Sequence, residues 1–214
     1  MKALIKKELK LGISPACYIS LLFALFFFIP AYPLIVVFFF PSTMITNIYI
    51  SSIGYNNDLE FSLMLPIRKK DYVLSKIFSM LFLQFIFLLL SIPFMCLRMF
   101  LLNGVYPSTP GFTSPFIIYG TYLVGCAIYS FTLFGTYFKT YPKRNLAATI
   151  SIFAELIIDM FLGVAMFYIP NFGQQLENNY IMGLIYLLIS ISVFIVLVYL
   201  TYLVSYKNLE KKNP

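Results

Sequence analysis

Hydrophobic positions run along this chain in long stretches, and the polar positions between them come in short clusters. From Ala16 to Ile53 the sequence is almost continuously apolar. As helix, that run would be about 57 Å long at 1.5 Å per residue, against a hydrocarbon core of about 30 Å. One crossing cannot use it. Ile29-Pro30-Ala31-Tyr32-Pro33 supplies a break, because its two prolines disrupt the backbone hydrogen-bond ladder. The pattern predicts a hairpin of two spans over 15–31 and 34–55, with Pro41 kinking the second. Later apolar stretches predict spans over 76–102, 113–138, 146–169 and 179–205. Their separators are the Pro- and Gly-containing 103–111, then Tyr141 to Asn145, then Asn171 to Asn179. Residues 1–214 thus read as one all-α transmembrane domain of six helices, with no soluble domain left over.

Ahead of the first span, Met1 to Leu11 reads MKALIKKELKL, with Leu4, Ile5, Leu9 and Leu11 as its apolar positions. Lysines fill much of the remainder, which suits a short helix lying on an anionic membrane surface. A signal peptide begins similarly. Here the apolar run is too long and no small-residue cleavage motif follows, so the segment is expected to be retained.

Charge decides the topology. Six spans with both termini in the cytoplasm place four basic clusters inside: Lys2, Lys6, Lys7 and Lys10; Arg68, Lys69, Lys70 and Lys76; Lys139, Lys143 and Arg144; Lys207, Lys211 and Lys212. Of the 15 basic residues, only Arg98 falls near the outer side. Merging the first two spans would put three of these clusters outside, against the positive-inside rule. Composition agrees with a membrane protein: 61% hydrophobic and 11% charged residues, where soluble domains carry about 25% charged. The net charge of +7 flanks the spans and forms no basic face, so it does not indicate nucleic acid.

The longest polar interruption is Asn57 to Lys76. Its apolar residues Leu59, Phe61, Leu63 and Leu65 alternate with polar or small ones up to Pro66. Pro66 disfavours helix at Leu65 but suits a helix start, so a short helix is expected from near Ile67 into the next span. Two readings stand for this stretch: a solvated loop whose lysines only fix topology, or a docking element.

Candidate chemistry is sparse. No phosphate-binding Gly-rich loop, no His and no paired Cys-x-x-Cys occurs; Cys17, Cys96 and Cys126 lie scattered in apolar runs as small core residues. Metal and catalytic sites are not expected. Glu155 and Asp159 lie four apart on one helical face, about 15 Å and 21 Å into the membrane counted from Asn145. Acids at that depth face a bundle interior or a wet cavity. They read either as a polar patch on a substrate path or as a packing contact with Arg98 or the Thr149 and Ser151 hydroxyls. Arg98 itself reads as snorkelling to the interface. The 24 Phe read as packing or lipid-facing, and Tyr32, Tyr106, Tyr119, Tyr137, Tyr180 and Tyr206 as an interfacial belt.

A basic N-terminal segment, two spans, the run Asn57-Asp58-Leu59-Glu60-x-Ser62-x-x-Leu65-Pro66-Ile67-x-x-Lys70-Asp71-Tyr72-Val73-Leu74-Ser75-Lys76, then four spans resembles a permease subunit of an ABC-2 type exporter. It is most similar to the small bacterial permeases that include those of the phenol-soluble modulin exporter. The likeness covers the whole chain by topology and 58–76 by motif. It implies an interfacial N-terminal helix, a cytoplasmic coupling element between spans two and three, a separate ABC ATPase and a second permease subunit. ATP would be bound by the partner and no cofactor by this chain. On that resemblance the docking surface is Asp58, Glu60, Leu65, Pro66, Arg68, Lys69, Lys70 and Asp71, and the cargo is amphipathic or hydrophobic, such as a cytolytic or antimicrobial peptide. The location is the bacterial cell membrane. An immunity or regulatory protein that transports nothing, and an intramembrane enzyme acting on lipids, are the rival classes.

Overall fold

The computed structural model describes residues 2–28, 43–44, 48–50, 58–64, 66–101, 114–141, 143–169, 176 and 178–211. Among them the chain is helical throughout, with no strand. Helix α1 (Lys2–Lys7) runs on as a π-helical turn over Glu8–Gly12. Helix α2 (Pro15–Ser20) tightens into a 3-10 helix over Leu21–Phe28. Then come α3 (Asp58–Met64), α4 (Lys69–Leu101), α5 (Pro115–Thr140), α6 (Arg144–Tyr168) and α7 (Tyr180–Glu210).

Helices α4 to α7 are long and apolar enough to cross a membrane; the bent pair Leu4–Gly12 and Pro15–Phe26 adds a fifth crossing if taken as one. Their bounds fall close to the expected last four spans, except that α4 starts at Lys69 and α7 continues to Glu210. Most of the expected second span, the Pro30–Pro33 break, Pro41 and the 103–111 separator lie outside the described residues.

The 77° bend before α2 has a local cause. Ser14 precedes Pro15 and is extended, with ψ 146°, because the proline ring crowds a helical residue before it. The Ser14 hydroxyl accepts from Ala16 N at 3.2 Å and so caps the new helix. The N-terminal helix is less superficial than its pattern suggests. Leu11 is 71% exposed, while Leu4 and Glu8 are buried. Glu8 takes an inward position beside Leu4, and Leu11 does not.

Helix α5 is the central element: it packs most extensively on α7 and next on α6, and much of its surface is buried. Close approach to α7 depends on Gly120, where an added Cβ would lie 2.6 Å from the Tyr186 ring. Replacing Gly120 by Ala should therefore cost about 1–3 kcal/mol through overpacking, read as a lower unfolding temperature and restored by Tyr186→Leu. The hydroxyls of Thr121, Ser130, Ser190 and Thr201 donate to carbonyls of their own helices, so these four buried side chains are satisfied without water. The aromatic belt is only partly realised: Tyr180 is 81% exposed, but Tyr137 is buried and packs edge-on against Phe138 and Tyr141, because it sits on the central helix. Cys17 and Cys126 are buried, whereas Cys96 is exposed on the lipid-facing side of α4. Arg98 is also buried, not snorkelling outward.

Three contacts gather the basic clusters at one end of the bundle. Lys76 at the start of α4 meets Glu8 of the N-terminal helix at 2.7 Å. Tyr72 packs edge-on against Phe138 near the end of α5. Asn208 of α7 donates to the Gly135 carbonyl of α5 at 2.9 Å. Arg98 stands 22 residues beyond Lys76 on α4, about 33 Å along the axis and so one hydrocarbon thickness away.

Candidate functional site

The stretch after Asn57 folds as a helix, a bend and a second helix. In α3, Leu59 and Ser62 lie three residues apart and both are buried, at 3% and 2% exposure. Phe61 and Met64, also three apart, are turned outward at 59% and 83%. The alternation along the sequence is thus carried on a helix. Pro66 is exposed at the bend. Arg68 starts α4: its carbonyl accepts from Asp71 N and Tyr72 N, and its Nε donates to Asp71 Oδ2 at 2.9 Å. Lys70 is exposed, Lys69 half-buried. Leu65 and the side chains of Asp58 and Glu60 lie outside the described residues.

This arrangement leaves an apolar tip beside a basic turn. Met64 and Phe61 are exposed, and Lys70 supplies charge that, among the described residues, no ion pair like the one that holds Arg68 takes up. Behind the bend, α4 is helical over 33 residues, about 50 Å, with Pro93 inside it, so the basic turn and the span belong to one helix.

A buried polar knot anchors this helix at its base, and sequence reasoning missed it. Glu8 Oε2 accepts from Lys76 Nζ at 2.7 Å and from the Tyr49 hydroxyl at 3.1 Å. Glu8 is 1% exposed and Lys76 2%. The Lys76 ammonium also lies over the Tyr72 ring, 5.3 Å from its centroid, where the ring's negative face favours a cation. Next to it, Lys7 Nζ donates to Ser62 Oγ of α3 at 3.1 Å and approaches Glu8 Oε1 at 3.8 Å. Lys7, expected on an anionic membrane surface, and Lys76, expected in the cytoplasmic cluster that ends the polar stretch, therefore bind the N-terminal helix to both helices of that stretch. The one available signal was Glu8 itself, a lone acid among lysines at the π-helical turn, a local irregularity that often marks functional positions.

Glu155 and Asp159 do share one face of α6, and it turns toward α5. A Cβ added at Gly125 would lie 3.4 Å from Asp159 Oδ1 and 3.5 Å from Glu155 Oε1. Glu155 is 2% exposed. The hydroxyls of Ser151 and Thr149 donate to the Ala147 and Asn145 carbonyls of their own helix, so their single protons are not available to the acids. Gly125 is what admits the pair: with no side chain there, the two carboxylates reach the α5 backbone. Substituting Leu for Gly125 should displace both acids and separate α5 from α6, lowering the unfolding temperature as overpacking does.

Among the described residues no group of His, Cys, Asp and Glu could hold a metal ion. Residues 3–210 match the family model described as ABC-2 family transporter protein. No curated protein and no solved structure matches the chain.

Proposed function

The chain belongs to the ABC-2 transporter family, and from that we propose that it is the membrane-spanning permease subunit of an ABC exporter, driven by a separate ATPase. The family is a transporter component and not a classical enzyme, and the four apolar helices make this a multi-pass membrane protein. The observation that carries the coupling reading is the exposed tip at Phe61 and Met64 with Lys70 beside it at the start of α4. A chain without a nucleotide loop moves cargo if a partner's ATP-driven closure pushes on a stiff element, and alternating access follows as rigid-body motion of spans. The working unit pairs two permease subunits, alike or different, in a bacterial cell membrane. The cargo is amphipathic or hydrophobic, such as a cytolytic or antimicrobial peptide, in keeping with the large apolar surface.

Six spans with cytoplasmic termini complete this reading. The N-terminal helix and the start of α4 meet at one end of the bundle, which an even number of crossings between them satisfies. A cysteine introduced at Ser108 should then label from outside intact cells and one at Lys69 should not; labelling at Lys69 without permeabilisation defeats the arrangement. For the function, purification of the tagged chain from native membranes should bring down an ABC ATPase. Absence of that partner, or unchanged peptide export and resistance after gene deletion, would overturn the exporter or its cargo respectively.

A further inference from the structure

Helices α4, α5 and α7 enclose a cleft of about 490 Å³ that neither acid lines. That volume lies within the range of small-molecule sites, about 300–1,000 Å³. Tyr122 and Cys126 of α5 form its floor and are buried, while Phe85 of α4 and Ile195 of α7 are exposed at its rims, 57% and 62%. The mouth therefore opens toward lipid between the exposed rims of α4 and α7, and α4 touches both α5 and α7 less than those two touch each other.

One lining residue is out of keeping with these walls. Gln84 is 4% exposed, and among the described residues both its carboxamide oxygen and nitrogen are buried without a hydrogen-bond partner. The Tyr122 hydroxyl donates to the Gln84 main-chain carbonyl at 3.1 Å, which fixes the floor but leaves the side chain unspent. Gln84 lies eight residues beyond Lys76, about 12 Å deeper, where lipid offers no water to satisfy it. A buried amide without partners is costly, and such a group in a native protein is explained by a ligand, an ion or a water. No charged side chain lines the cleft, so a charged guest would be left unpaired there.

We propose that this cleft is a lipid-accessible binding site for an uncharged molecule with a hydrocarbon body and one primary amide group. A primary amide supplies both the donor and the acceptor that the Gln84 carboxamide lacks, on one edge and so in a paired two-bond geometry. The site stands apart from ATPase docking and does not depend on it.

The test uses the full-length chain in lipid nanodiscs and a sixteen-carbon primary amide carrying a mid-chain diazirine, with the hydrocarbon lacking the amide as its control. Photo-labelled residues are read by mass spectrometry. The amide probe should label lining residues about tenfold over the control, the discrimination expected from two neutral hydrogen bonds. In Gln84→Leu that preference should fall to about one with the control's labelling retained, because the cleft remains while its polar group is gone. Leu88→Trp, which fills the cleft, should abolish labelling by both probes. Equal labelling by the two probes in the wild type, or a preference that survives Gln84→Leu, overturns the proposal. A blocked apolar tripeptide amide and an unlabelled fatty amide, used as competitors, tell a peptide source of the amide from a lipid one. Gln84→Leu should still co-purify with the ATPase; absence of that partner from the wild type, with its amide preference intact, would count against the docking reading and not against the cleft.

Discussion

Replacing Lys76 alone by Met should destabilise the protein by about 3–5 kcal/mol, the usual consequence of leaving one charge of a buried pair without its partner. The affected charge is Glu8, 1% exposed, whose Oε2 now receives Lys76 at 2.7 Å and Tyr49 at 3.1 Å. Without Lys76 the carboxylate keeps the Tyr49 hydroxyl and the more distant Lys7, which do not neutralise it as well. Glu8→Leu alone should cost a similar amount by stranding Lys76 between the Tyr72 and Tyr49 rings. Combining Glu8→Leu with Lys76→Met removes both charges, and stability should return to within about 1–2 kcal/mol of wild type, since apolar replacement of a whole buried pair is commonly near neutral. Tyr49→Phe removes the hydroxyl that donates to Glu8 Oε2 at 3.1 Å and reaches the Lys76 carbonyl at 3.5 Å, and should cost about 1–3 kcal/mol. Thermal unfolding in detergent, with membrane abundance in cells, measures all four. If both single variants match wild type, the knot contributes nothing to the fold. The double variant then separates stability from transmission: a stable double variant that keeps its ATPase but loses export would show that the knot transmits motion between the N-terminal helix and α4.

How much of this was legible follows from the range over which each feature is encoded. The last four spans are written in the local run of apolar residues, so Tyr141–Asn145 and Asn179 were recognisable as boundaries; α6 starts at Arg144, and the Asn179 side chain caps α7 by accepting from Ile181 N. The acid pair was legible because a four-residue spacing places both carboxylates on one face whatever the helix packs against. Its partner surface was not, since Gly125 carries no mark that it faces α6 rather than α7. The Glu8–Lys76 pair spans 68 residues and could not be read from periodicity at all. In MKALIKKELKL a single acid looks like one more surface charge, and the sequence places Leu11 where an amphipathic helix would bury it. Only tertiary packing, with the π-helical turn at Glu8–Gly12 and α4 against it, exchanges those positions. Arg68 and Asp71 illustrate the converse. Both were assigned to a partner's surface, yet at three residues' separation they satisfy each other first.

That local pairing sharpens the test of the tip. If Phe61 to Asp71 docks on an ATPase, the charge offered outward is chiefly that of Lys70, because Arg68 is held by Asp71 and Lys69 is half-buried. Lys70→Glu should therefore weaken co-purification of the ATPase more than Arg68→Glu does. The triple reversal of Arg68, Lys69 and Lys70 should abolish it, since a charge pair buried at an interface commonly costs about 2–5 kcal/mol when disrupted and a rim charge much less. Met64→Asp should act with comparable force by a different route: at 83% exposure in the isolated chain it packs on nothing here, so its loss leaves the fold intact while removing hydrocarbon from the contact. Pro66→Gly changes no charge. It frees the bend between α3 and α4, so the ATPase should still bind while export falls, because a push on a loosened tip no longer moves the 33-residue helix. None of these variants touches the Glu8–Lys76 pair, and Lys76 with the other three basic clusters still favours the same topology, so membrane abundance and labelling topology should stay at wild-type levels. Co-purification and export are measured for each at matched abundance. Wild-type behaviour of the triple reversal and of Met64→Asp in both measurements would return this stretch to a solvated loop whose lysines only orient the chain.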